Sequence, residues 1–122
     1  MDEEQFKART KGLALRVIRL VEAMPRGRVA DVIGQQLLRS ATSVGANYRA
    51  ACRARSTADM VAKMGIVEEE ADETLYWLEL LVEAGLMPES RLADLMQETD
   101  QVVAMTVASI KTLRARSRKP KT

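Results

Sequence analysis

The sequence contains no histidine, only one cysteine, and aromatic residues at just 3%. Each scarcity removes a class of function. Without an imidazole nothing activates Ser40, Thr42 or Ser43 as a nucleophile, and no lysine lies nearby in sequence to stand in. The same absence removes the Glu-x-x-His pairs that hold di-metal centres in helical bundles. Cys52 alone cannot form an internal disulfide, which argues against a secreted scaffold. Lying beside the apolar face of its helix, it reads as a small buried hydrophobe rather than a reactive thiol. So few aromatics leave little to stack on unpaired bases, so sequence-specific recognition of single strands is not expected. No apolar run approaches the roughly 18 residues of a membrane span. The opening MDEEQFKARTKG is charged and has no apolar leader stretch. A cytoplasmic protein is expected.

Proline and glycine are scarce too, at three and six. Ala, Leu, Val, Met, Glu and Arg dominate, which favours helix over sheet. A length of 122 residues suits one domain with its own core. That core is expected to be aliphatic, with seven methionines as adaptable filling.

The apolar rhythm predicts four helices, over about 5–24, 29–54, 57–84 and 88–115, followed by a basic, disordered tail at 117–122. Leu13, Val17, Leu20, Val21 and Met24 form the stripe of the first, which Pro25 and Gly27 end. In the second, Ile33, Leu37, Ala41, Val44, Tyr48 and Ala51 share one face. Gly45 lies inside it at a cost near 1 kcal/mol, which close approach of another helix would offset. Ser56 reads as the cap of the third, with Asp59 in its first turn. Met60, Met64, Val67, Ala71, Thr74, Leu78 and Leu81 then follow a heptad seam. Gly85 suits a C-terminal cap and Pro88 the first turn of the last helix, whose stripe runs through Leu92, Met96, Val103, Ile110 and Leu113. Long helices with short loops pack as antiparallel neighbours, so residues 1–116 are expected to form a single all-α, up-down-up-down four-helix bundle.

Charge is segregated although the net value is only +2. Residues 1–57 carry eleven Lys or Arg against five Asp or Glu; residues 58–110 carry two against twelve; the last twelve residues carry six and none. Such segregation suits nucleic acid on one side or subunits packing head to tail. The acids Glu68, Glu69, Glu70, Asp72 and Glu73 raise the question of a Mg²⁺ or Mn²⁺ site. Such a site needs inward acids from several helices, and helix two offers only Asp31 near its start. No metal, no other cofactor and no enzyme activity are therefore expected. The acids read as a solvated face, or as partners for arginines of a neighbouring helix or subunit.

The stretch Gln35 to Ser56, QQLLRSATSVGANYRAACRARS, hides one face and carries Arg39, Arg49 and Arg53 on the other. With Lys7, Arg9 and Lys11, and with Lys111, Arg114 and Arg116 near the C-terminus, these are the candidate phosphate contacts. Ser43, Gly45, Ala46 and Asn47 are candidate subunit contacts. Trp77 joins them, because it and the adjacent Tyr76 cannot both face the bundle centre.

LLRSATSVGANYRAACRARS, followed by EEEADETLYWLELL and preceded by FKARTKGLALRVIRLVEAMP, resembles the four-helix-bundle proteins encoded in intervening sequences of bacterial 23S rRNA genes. The likeness covers about Phe6 to Leu113. The family's Arg-Ser falls on Arg39 and Ser40, and its Ser-Val-Gly-Ala-Asn-Tyr on Ser43 to Tyr48. After Arg49, Ala50 stands where the family typically has glutamate, which leaves this face more positive. The resemblance implies a cytoplasmic bacterial bundle assembling as a homopentamer, with no catalytic residues to transfer. Related accessory proteins of diversity-generating retroelements form basic pentameric barrels that bind nucleic acid. The reading is a homo-oligomeric bundle binding RNA or other nucleic acid, rRNA among the candidates, through phosphate contacts. The alternative is an interaction module whose basic and acidic faces serve assembly.

Overall fold

The computed structural model describes residues 2–118, as four helices: α1 (Glu3–Ala23), α2 (Arg28–Cys52), α3 (Thr57–Glu83) and α4 (Glu89–Arg118). Most of their boundaries have a local chemical cause. Asp2 accepts from the Gln5 backbone N–H at 2.8 Å while the Gln5 side chain accepts from the Asp2 N–H at 3.2 Å. This capping box starts α1 two residues before the expected Gln5. Ser56 caps α3 as expected, its Oγ accepting from Asp59 N–H at 3.0 Å. Gly85 ends α3 at φ +72°, with Leu86 N–H on Leu81 O at 2.9 Å and Gly85 N–H on Val82 O at 3.0 Å. This is a Schellman cap, and its left-handed residue favours glycine. α4 begins directly after Pro88 and extends to Arg118. Ser117 and Arg118, expected in the disordered tail, are therefore helical, and 119–122 lie outside the described residues.

Contacts between helices give the topology. Arg39 of α2 reaches Glu70 and Glu73 of α3, while Ser40 meets Thr74. Arg9 and Arg16 of α1 meet Glu98 and Asp94 of α4 in reversed order. Gly45 and Gly34 of α2 face Thr10 and Val21 of α1, again reversed. α1 is thus antiparallel to both α2 and α4, and the short connections after α2 and α3 turn the chain back each time, giving an up-down-up-down four-helix bundle.

All six expected core residues of α2 are buried, as are Met64, Val67, Ala71, Thr74, Leu78 and Leu81 of α3; Met60 is partly covered. In α1, Leu13 and Val17 are joined by Phe6 and Thr10, with Met24 buried just past the helix end and Leu20 and Val21 partly covered; Phe6 packs edge-on against Tyr48 with centroids 4.6 Å apart. The α4 stripe differs from expectation. Leu92 and Ile110 are buried as expected, but the seam between them is Leu95, Thr99, Val102 and Thr106, not Met96 and Val103. Threonine at seam positions works because each hydroxyl donates to a carbonyl one turn back: Thr99 to Leu95 O and Thr106 to Val102 O, both at 2.7 Å. Thr10 does the same to Phe6 O at 3.0 Å, and Thr74 Oγ1 lies 3.0 Å from Ser40 Oγ. Among the described residues, no buried side-chain polar atom lacks a partner.

Antiparallel folding rearranges the charge. The start of α1, the α2–α3 turn and the end of α4 share one end of the bundle. Residues 2–11, 49–63 and 108–118 carry eleven Lys or Arg against four Asp or Glu. Residues 12–48 and 64–107 carry six against thirteen. Charge segregated along the sequence becomes a basic end on an otherwise acidic body.

Candidate nucleic-acid interface

The last two turns of α2 form a ridge at the basic end, with a groove on either side. Toward α3 lies a cavity of about 680 Å³ lined by Ala46, Arg49, Ala50, Arg53, Arg55, Asp59 and Lys63. Toward α1 lies one of about 580 Å³, to which Lys7, Lys11, Thr42, Gly45, Ala46 and Arg49 contribute. Ala46 and Arg49 belong to both, so the two grooves adjoin across α2. Between its arginines the ridge is low, because Ala46 and Ala50 are small. Arg49 and Arg53 stand one turn apart on it. Among the described residues, Lys11, Arg49, Arg53 and Arg55 form no ion pair. Lys63 is held by Asp59 at 2.7 Å, and Lys7 lies 3.3 Å from Glu3 and 3.5 Å from Glu4.

The structure thus brings Lys7, Lys11, Arg49 and Arg53 together, and places Lys111, Arg114 and Arg116 at the same end on exposed turns of α4. It does not bring Arg9 or Arg39 to the grooves. Arg9 turns to α4, where its guanidinium takes both Glu98 oxygens at 2.7 Å and also reaches Gln101. Arg39 sits more than two turns back along α2, bonded to Glu70 at 3.0 Å and Glu73 at 2.6 Å. Those glutamates stabilise the cationic form, so both guanidinium pKa values rise. The acidic face of α3 therefore meets an arginine within the same chain. Sequence reading missed Arg55 and Lys63. The antiparallel α2–α3 turn carries both beside Arg53.

Among the residues expected at a subunit boundary, Gly45 packs on α1 of its own chain: a Cβ there would lie 3.4 Å from Thr10 Oγ1 and 3.5 Å from the Thr10 carbonyl carbon. Ser43 Oγ donates to Arg39 O at 2.9 Å, and Asn47 Nδ2 to Ser43 O at 2.8 Å. Trp77 Nε1 donates to Glu73 at 3.2 Å, beside the exposed Tyr76. Ala46 is exposed.

Cys52 is partly covered by the core, and burial pushes its thiol above the ordinary value. It therefore stays protonated at neutral pH, as a small hydrophobe would require. No group of three or more His, Cys, Asp or Glu side chains among the described residues is arranged to hold a metal ion. No described helix is long and apolar enough to cross a membrane.

The Arg39 bond holds Glu73 below its usual carboxylate value, with the Trp77 N–H acting in the same direction. A depressed carboxylate stabilises the fold above its unfolded value, about 4.5, and that contribution is lost as pH falls through the folded value. Glu73→Gln keeps an acceptor but cannot titrate. We expect the urea midpoint to fall less between pH 7 and pH 3 in this variant than in the parent; equal falls would show that the pair contributes no pH dependence.

Comparison with known proteins agrees with this architecture. The chain is similar to a solved protein of unknown function from the S23 ribosomal protein family of Bacteroides thetaiotaomicron, at 32% identity and a TM-score of 0.84. The match covers 91% of this chain and 99% of that one. No curated protein matches. The family model described as 23S rRNA-intervening sequence protein matches residues 3–108. With that span covering nearly all of the bundle, the chain belongs to the 23S rRNA-intervening sequence protein family.

Proposed function

We propose that the protein is a non-enzymatic, cytoplasmic, homo-oligomeric bundle that binds RNA through phosphate contacts at its basic end. The observation that carries this reading is the pair of adjoining grooves around Arg49, with Lys11, Arg53 and Arg55 unpaired beside it. Free guanidinium groups suit phosphate oxygens, and small neighbours let a backbone approach closely. Assembly, as a pentamer by family resemblance, multiplies a modest patch into a polyvalent surface. Four phosphate contacts predict a definite salt response. Raising salt from 50 to 200 mM should weaken binding of a labelled 23S rRNA fragment roughly 50- to 150-fold. Affinity that does not change with salt would refute the proposal.

A second reading is favoured by the bipolar charge of the body: the basic end of one copy suits the acidic flank of another, or of a partner protein. In that case the same arginines hold subunits rather than phosphates.

A further inference from the structure

We infer that the ligand of the basic end is double-stranded RNA, recognised by the spacing of its two backbones and not by its bases. This rests on the phosphate-binding reading above and adds the form of the nucleic acid. Two observations carry it.

The first is the shape of the cation array. The cations do not follow a single line. Lys7 and Lys11 stand on α1, Arg49 and Arg53 on the α2 ridge, and Arg55 and Lys63 on the far side, at the α2–α3 turn and on α3. Packed helices lie ~8–10 Å apart, so the array is two-dimensional, with rows about one helix spacing from each other. A single strand occupies one row. A duplex presents two phosphate backbones across a groove. The minor groove of A-form RNA is wide and shallow, which matches a low ridge of Ala46 and Ala50 flanked by cations on both sides. Ala46 and Ala50 would face that groove, while Lys11 on the α1 side and Arg49, Arg53 and Arg55 along the α3 side reach the two backbones.

The second is the placement of the aromatic rings. The chain has one Phe, two Tyr and one Trp. Phe6 and Tyr48 are at the basic end but buried against each other, 6% and 7% exposed. Tyr76 and Trp77 form their own edge-on pair on α3, thirteen and fourteen residues beyond Lys63 and so about 20 Å along the helix. No ring is available at the grooves to stack on a splayed base, the interaction that gives single-strand binders their affinity. A flexible strand would also lose conformational freedom on binding, which a preformed duplex does not.

The test uses the full chain, a labelled 20-base-pair RNA duplex and an unstructured 20-nucleotide strand, with affinity measured by fluorescence anisotropy from 50 to 200 mM salt. Duplex binding at least tenfold tighter, with a log–log salt slope nearer −4 than −3, is the expected result. Replacing one cation on each flank, with Lys11→Ala and Arg55→Ala together, should reduce the duplex preference to under threefold. Equal or tighter binding of the single strand overturns the inference and leaves the phosphate-binding reading standing, as does a duplex preference unaltered by the double variant. No binding of either RNA at 50 mM salt overturns both.

Discussion

Changing Arg49, Arg53 and Arg55 together to alanine should weaken RNA binding by several hundred-fold at 0.1 M salt, while Arg39→Ala changes it less than about twofold. The magnitude follows from counterion release: each lost phosphate contact removes close to a tenfold factor at that salt, and the log–log slope should shrink by about 2 to 3. The contrast follows from partners. Arg49, Arg53 and Arg55 line a groove with no ion pair among the described residues, whereas the Arg39 guanidinium is bonded to Glu70 and Glu73. All four changes are on exposed side chains, so the bundle should remain folded. Measuring solution mass beside affinity separates the two functional readings. Lost binding with mass unchanged supports phosphate contacts. A triple variant that falls to monomers makes these arginines subunit contacts, and a triple variant that binds as before refutes their role.

Gly45→Leu should destabilise the bundle by about 3 kcal/mol, on the order of 10 °C in melting temperature. The position where a Cβ would sit is already 3.4–3.6 Å from Thr10 Oγ1, the Thr10 carbonyl carbon and Lys11 N. Two of these are backbone atoms of α1, which cannot give way as the end of a flexible side chain would. α1 must move away, and the buried contact of Phe6 with Tyr48 loosens with it. Gly45→Ala behaves differently. Its methyl meets ordinary van der Waals distances, and alanine gains up to about 1 kcal/mol of helix propensity. We expect alanine to be neutral or mildly stabilising in thermal unfolding monitored by circular dichroism. A leucine variant as stable as the parent would show that α1 does not rest on α2 at this point.

The same glycine shows how far the sequence can be read. A Gly within a helical pattern implies close approach, but not which helix approaches; here it is α1 of the same chain. The α2 face was legible because its six inward residues are apolar or, for Tyr48, large and amphipathic. The α4 seam was not, since Thr99 and Thr106 look like surface residues until their hydroxyls are seen bonded to Leu95 O and Val102 O. For the site, the abundance of cations was legible and their partners were not. Arg9 and Arg39 differ from Arg49 and Arg53 only in which carboxylates the antiparallel register brings opposite them, a contact spanning 89 residues in one case and 31 in the other. Lys63 was overlooked for a related reason. It lies in the acidic segment of the sequence, and only the α2–α3 turn returns it to the basic end.

A basic end on an acidic body also has a kinetic consequence. Near a polyanion, attraction at one end and repulsion along the rest exert a torque that turns the molecule before contact. Collisions then arrive already oriented, and the association rate exceeds what a net charge of +2 would give. Salt acts on that approach at distances up to a Debye length, about 8 Å at physiological ionic strength, whereas residence time depends on the contacts made after arrival. The short antiparallel turns, by gathering these cations at one end, therefore set how the molecule orients in the field of a polyanion.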